Sequence, residues 1–307
     1  MKSRLVQAAR PLLERFRQQK PLRAGSLLVT LFGDAVLPRG GTVSLGSLIK
    51  LAAPFGINER LVRTAAARLV HEGWLKTRRT GKLSEYHLSS DGRERFEEAT
   101  HRIYGAPEAS WSGRWTLVVL PAVRAARRKR LRDELSWLGF GEFASGVFAH
   151  PELPSATLKQ LGALAHGKEL YVFEASLESE DAPARLASMG WDLADLHQRY
   201  LRFVERFASI PEALAGDAGT DDEAAFVVRT LLIHEYRKLH LRDPLLPQRL
   251  LPKDWAGNTA ALQCRRIYAG VFERSEVYLS GTAVTLAGSL PPPSKDVYAR
   301  FGGLGLA

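Results

Sequence analysis

Cysteine is nearly absent from this chain of 307 residues: Cys264 stands alone, so no internal disulfide can form, and no CxxC pair or Cys/His ladder exists to hold structural zinc. That usage suits a reducing cytoplasm. Long apolar runs are missing as well. In the opening MKSRLVQAARPLLERFRQQK, charges at Arg10, Glu14, Arg15 and Arg17 interrupt every apolar stretch, so no signal-peptide core is expected. Nowhere do about 18 uncharged apolar residues follow one another, as a membrane span requires. The opening stretch reads as a solvated arm or as a basic amphipathic helix touching the DNA backbone or a dimer partner. Two catalytic signatures are also lacking. There is no G-x-S-x-G turn, and His234-Glu235 is followed by a second histidine only at His240. Six residues are about 240° round a helix, so the two imidazoles cannot meet one ion from one face. No catalytic residue, metal or bound cofactor is expected.

Negative charge is scarce in one region only. Of 43 Lys and Arg and 33 Asp and Glu, residues 1–105 hold 19 and 9, which leaves 24 of each sign for the rest. The whole net charge of +10 therefore belongs to the first third. A positive field confined to one module is the footprint of a polyanion-binding domain, because neutralising phosphates releases condensed counterions. The length of the chain calls for two or three domains.

The first third has a legible order. AGSLLVTLFGDAV reads as a short helix with Leu27, Leu28, Leu31 and Phe32 facing a core, and LPRGGTV breaks it at Pro38 and two glycines. Ser44 caps a second helix, SLGSLIKLAAPFG, which ends at Pro54 and Gly56. Asn58 caps a third, NERLVRTAAARLVHEGW. Its wheel places Leu61, Val62, Ala65, Ala66 and Leu69 on one side and Arg60, Arg63, Thr64, Ala67 and His71 opposite. Arginine bridges guanine edges while Ala and Thr permit close approach, which is what a recognition helix in the major groove needs. After Gly73, WLKTRRTGKLSEYHLS reads as two strands around Thr80-Gly81-Lys82, a wing with Arg78, Arg79 and Lys82 at its tip. The exit helix, SSDGRERFEEATHRIYG, has alternating charges and no assigned chemistry. The residues expected to touch DNA are Arg39, Asn58, Arg60, Arg63, Thr64, Arg68, Arg78, Arg79 and Lys82. Of these, Arg60, Arg63, Thr64 and Arg68 would read bases or set the groove, and Arg39, Arg78, Arg79 and Lys82 would hold phosphates.

These segments, together with WSGRWTLVVLP and HEYRKLHLRDPLLPQRLLPKDWAG further on, resemble the PaaX family of phenylacetic acid degradation repressors over nearly the whole chain. The resemblance implies a cytoplasmic homodimer bound to double-stranded operator DNA with an inverted repeat. It further implies release by an aryl-CoA thioester such as phenylacetyl-CoA.

From Trp115 the order is strand, helix, two short strands around GEFASGVFAH, helix and strand, the βαββαβ pattern of a ferredoxin-like domain suited to dimerisation or signal relay. In the family this region resembles the small ferredoxin-like proteins of CRISPR adaptation, some of them called metal-dependent nucleases with an aspartate ending the first strand. Here the strand ends Val119-Leu120-Pro121-Ala122, without a carboxylate. The run Arg127-Arg128-Lys129-Arg130-Leu131-Arg132 is a solvated face or a contact for DNA or effector phosphate.

Beyond Met189-Gly190 the periodicity is helical, with a proline-rich connector at Pro244, Pro247 and Pro252. His234, Glu235, Arg237 and Arg242 either pin that connector or, as His234, Arg237, His240 and Arg242, bind the effector's phosphates. Trp191, Tyr236, Trp255 and Tyr268 would enclose its aryl end or fill a core. The expected architecture is a multidomain α+β chain: a winged helix-turn-helix at 22–105, a ferredoxin-like domain at 111–180, an all-helical effector domain at 190–280 and a flexible tail at 281–307. The alternatives are an acyl-CoA-acting or metal-dependent nuclease-like enzyme, and a basic protein that coats nucleic acid without sequence preference.

Overall fold

Helix α1 (Arg4–Arg17) buries Leu5, Ala9, Leu12 and Phe16, a stripe at spacings of four, three and four residues, and leaves its charges in solvent. The N-terminal stretch is thus a packed amphipathic helix, and Phe16 sets its ring edge against Phe55 and His234. The computed structural model describes residues 3–105, 111–120, 125–151, 170–176, 182–216 and 221–304. It divides into two compact units, one of Met1–Ala106, Arg202–Lys238 and Thr259–Ala307, the other of Pro107–Leu201 and Leu239–Asn258.

In the first unit, α2 (Ala24–Leu31) runs into a wide π turn over Phe32–Val36 and a 3-10 turn over Leu37–Arg39. Pro38 explains part of the distortion. It has no N–H to give to the Asp34 carbonyl four residues earlier, and the guanidinium groups of Arg229 and Arg300 donate to that carbonyl instead. Strand β1 (Thr42–Ser44) leads into α3 (Leu45–Ala52), whose first turn is closed by the Ser44 hydroxyl accepting from the Ser47 N–H. A turn through Gly56, at φ +76°, leads to α4 (Glu59–His71). Strands β2 (Leu75–Thr80) and β3 (Leu83–Leu88) form a two-residue hairpin with Gly81 at φ +59°, and β1 pairs on the far side of β3, so the antiparallel order is β1-β3-β2.

Helix α5 (Ser90–Tyr104) is capped by Ser89, whose hydroxyl accepts from the Gly92 N–H at 2.8 Å. A Cβ at Gly92 would stand 2.0 Å from the Trp74 carbonyl oxygen. Gly92→Ala is therefore expected to destabilise the chain by about 1–3 kcal/mol through overpacking against backbone. Urea unfolding beside the wild type measures this.

The C-terminal helices do not pack in isolation in this unit. The short helix α9 (Ile210–Ala215) precedes α10 (Asp222–His240), in which every residue from Ala224 to His234 is buried, so α10 needs cover on all sides, and N-terminal elements supply part of it. The segment after residue 281 is no flexible tail either. Helix α11 (Ala256–Thr282) continues into a small hairpin of β8 (Val284–Thr285) and β9 (Gly288–Ser289). The Ser47 hydroxyl clips both the N–H and the carbonyl of Val284, the buried Glu85 carboxylate accepts from the Leu286 N–H at 2.7 Å, and the Ser294 N–H donates to the Pro38 carbonyl. Composition alone points to disorder here, but Ala283, Leu290, Val297 and Leu304 are buried.

In the second unit, β4 (Arg114–Val119), β5 (Gly141–Ala144), β6 (Val147–His150) and β7 (Tyr171–Ser176) form an antiparallel sheet in the order β5-β6-β4-β7. Helix α6 (Ala125–Trp137) brings Leu131 and Leu135 onto a core with Val118, Leu120, Phe140, Phe148 and Leu170. The expected second crossover helix, SATLKQLGALAHG, lies outside the described residues, as do Pro121 and Ala122. Helix α7 (Ala182–Gly190) precedes α8 (Leu193–Arg206), and Tyr200 on α8 donates to Asp243 at 2.7 Å, with the His240 ring 3.4 Å from its hydroxyl. Among the described residues no helix is long and apolar enough to cross a membrane.

Candidate nucleic-acid interface

Helix α4 carries the candidate surface. The Asn58 side-chain oxygen accepts from the Leu61 N–H at 3.0 Å, and Glu59 lies at the positive end of the helix dipole. Val62, Ala65, Ala66 and Leu69 are buried, so Arg60, Arg63, Thr64, Ala67, Arg68 and His71 form one continuous exposed face. Arg63 lies against Glu59 at 2.7 Å and Arg68 against Glu72 at 2.6 Å, both exposed pairs one turn apart whose energy is small. The Thr64 hydroxyl donates back to the Arg60 carbonyl. Asn58 spends its oxygen on the cap and keeps its amide as a donor.

The hairpin presents a second set of cations. Arg78 is anchored at one end by the buried Glu85, at 2.6 Å, while Arg79 and Lys82 at the tip are exposed with no carboxylate partner among the described residues. Leu83, beside the turn, is 63% exposed, an apolar side chain at the tip of a basic hairpin.

Arg39 does not belong to this surface. It is only 2% exposed, donates to the Pro291 carbonyl at 2.6 Å, and pairs with Glu276 and Ser280, so it cannot reach a phosphate. It is one part of a buried charge network behind the exposed face. Asp34 pairs with Arg229 at 2.7 Å and Arg300 at 2.8 Å and accepts from the hydroxyls of Tyr104 and Tyr268. Arg229 also binds Glu276 and Ser275. Burial pushes the Asp34 carboxyl up, but Arg229, Arg300 and the two phenols together outweigh it and hold the group below its ordinary value. Burial, and then the Asp34 charge, push the Tyr104 phenol well up, so it stays a donor. Three arginines face two carboxylates, and the Arg300 guanidinium covers the Tyr104 ring at 4.0 Å. The network ties the π turn after α2 to α5, α10, α11 and the C-terminal segment.

Of the four residues expected to hold effector phosphates, two are committed to other partners within the first unit. His234 is fully buried, with Nδ1 2.9 Å from the Thr30 hydroxyl; burial, then Lys238, Arg237 and Arg23, push its pKa far down, so the ring is neutral. Arg237 donates to the Ser26 carbonyl, the Ser26 hydroxyl and the Thr30 hydroxyl, and burial lowers its pKa to about 10. Both are committed to α2 in the first unit. His240 and the exposed Arg242 fall in the second unit. Of the four aromatics, Tyr268 binds Asp34 and Tyr236 packs on Phe203 in the first unit, while in the second Trp191 donates to the Gly139 carbonyl and Trp255 packs on Tyr200.

Comparison with known proteins assigns the chain. Family models match in three consecutive pieces: "PaaX-like protein" over residues 23–92, "PaaX protein central Cas2-like domain" over 108–187 and "PaaX-like protein C-terminal domain" over 191–281. The chain belongs to the PaaX family. A curated member, the "Transcriptional repressor PaaX" of Escherichia coli (strain K12), is 36% identical over 295 residues, 93% of this chain and 92% of that protein. A solved structure, "Uncharacterized protein Rv0674 from Mycobacterium tuberculosis", superposes with a TM-score of 0.52 at 27% identity, covering 80% of this chain and 94% of that one.

For this PaaX-family chain, sequence reasoning missed the buried network, although it leaves a signal. Asp34 interrupts LLVTLFGDAV and Arg229 interrupts AAFVVRTLLI, single charges inside apolar runs that have to meet each other if both segments are core.

Proposed function

We propose that the chain is a DNA-binding transcriptional repressor whose N-terminal elements act as a winged helix-turn-helix. The observation that carries this reading is the exposed face of α4, where Arg60, Arg63, Thr64, Ala67 and Arg68 stand together on a helix whose other side is buried, next to a hairpin tipped by Arg79 and Lys82. On this reading α4 enters the major groove, Arg60, Arg63, Thr64, Arg68 and the Asn58 amide address bases or the groove, and Arg78, Arg79 and Lys82 hold flanking phosphates. The name of the Escherichia coli relative supports a repressor. The four-strand order of the central sheet supports a ferredoxin-like pairing or relay domain. Two copies would meet an inverted-repeat operator about one helical turn apart. The chain works as a cytoplasmic binder, not an enzyme.

Release belongs to the same proposal: an aryl-CoA such as phenylacetyl-CoA binds the DNA-free conformation more tightly than the operator-bound one. In a mobility-shift titration phenylacetyl-CoA is expected to dissociate the operator complex at concentrations where free phenylacetate does not. Equal behaviour of the two compounds, or no effect from either, removes the effector from the account.

A further inference from the structure

A cavity of about 410 Å³ lies in the first unit, between the end of α1, the connector into α2, Arg206 on α8 and the last turns of α10. Five cations wall it, Arg15, Lys20, Arg23, Arg206 and Lys238, against one carboxylate, Glu235. That carboxylate is already occupied: Arg206 donates to one oxygen, and Lys238 donates to the other at 2.9 Å. Arg15, Lys20 and Arg23 have no carboxylate partner among the described residues, and the Arg206 Nε is buried without a hydrogen-bond acceptor.

A second feature adds to this positive field. Arg23 occupies the N-cap position of α2, where no side chain caps the helix and the first turn holds no acid. A cation at the positive end of a helix dipole is unfavourable, as is the crowding of five like charges around one concavity. Burial and the neighbouring arginines Arg237 and Arg23 lower the Lys238 pKa despite its contact with Glu235. An anion in the cavity would relieve all of these at once.

We propose that this cavity binds a small molecule carrying two or more phosphoryl groups. Spread charge suits spread cations, and arginine forks match phosphate oxygens. The volume suits a nucleotide-sized group. On the effector reading above, on which this identity rests, the occupant is the nucleotide-diphosphate end of an acyl-CoA. The site is also placed to act on the DNA-binding elements. Lys238 and Glu235 flank Arg237 and follow His234 on α10, the two side chains that hold α2 through Ser26 and Thr30. Ligand drawn against α10 thus acts on the seating of α2.

Titration calorimetry on the full chain with pyrophosphate, CoA and phenylacetyl-CoA tests the proposal. Lys20→Gln with Arg23→Gln, both exposed, is expected to weaken pyrophosphate and CoA about tenfold or more. Arg249→Gln with Lys253→Gln, which removes the same charge elsewhere, is expected to change nothing, and both double variants should keep wild-type operator affinity. If pyrophosphate fails to bind the wild type, or binds wild type and Lys20/Arg23 variant equally, the cavity is not a phosphate site. Phenylacetyl-CoA bound equally well by that variant leaves the effector reading standing and overturns the site. Pyrophosphate bound in the cavity without any binding of phenylacetyl-CoA upholds the site and removes the effector.

Discussion

Replacing Asp34 by Ala is expected to lower the unfolding free energy by about 3–5 kcal/mol, because it strands two buried arginines and two buried phenols. Asp34 and Arg300 are each 4% exposed at the side chain and Arg229 is 1% exposed, so water cannot replace the lost carboxylate. Asp91→Ala, at an exposed position in the first turn of α5, should change stability by about 0.5 kcal/mol or less. The pH dependence has a definite sign. The folded-state pKa of Asp34 lies below its ordinary 3.8, so its contribution is fully present above the unfolded value and fades as pH falls through the folded one. Urea unfolding of wild type and Asp34→Ala at pH 7 and near pH 3 should show the gap narrowing in acid. A gap unchanged by pH, or absent at pH 7, contradicts the network as an ionic one.

That network also accounts for what the sequence could not display. Local signals are strong in the first third: Ser44 and Asn58 cap the helices they precede, Gly81 turns the hairpin, and the period of α4 sorts buried from exposed side chains. Each depends on neighbours within a few residues. Arg39 was misplaced because its partners, Glu276 and Pro291, are more than 230 positions away, and nothing local distinguishes an arginine in a turn that is buried from one that grips phosphate. His234 and Arg237 failed as phosphate ligands for the same reason, their partners being Ser26 and Thr30. The segment after residue 281 is rich in proline and glycine, which locally signals disorder, and its order comes from clips to Ser47, Glu85 and Pro38 and from burial of Ala283, Leu290, Val297 and Leu304. The cationic cavity draws on three separate stretches of chain, so no single window of sequence reveals it.

The exposed face of α4 gives the second large effect. Arg63→Ala is expected to cost about 1–3 kcal/mol in operator affinity and to relax selectivity at one base position, since a bidentate arginine discriminates a guanine edge. The exposed Glu59 pair is too weak to hold the side chain back. Lys82→Ala should behave differently, weakening every sequence alike and reducing the salt slope by about one counterion. The direct measurement is a binding titration at one fixed salt concentration, with a duplex selected from random sequence by the wild-type protein and a scrambled duplex beside it. The account predicts that Arg63→Ala loses affinity for the selected duplex and keeps it for the scrambled one, while Lys82→Ala loses both equally. Undiminished binding of the selected duplex by Arg63→Ala would contradict the assignment of α4 as the helix that reads DNA.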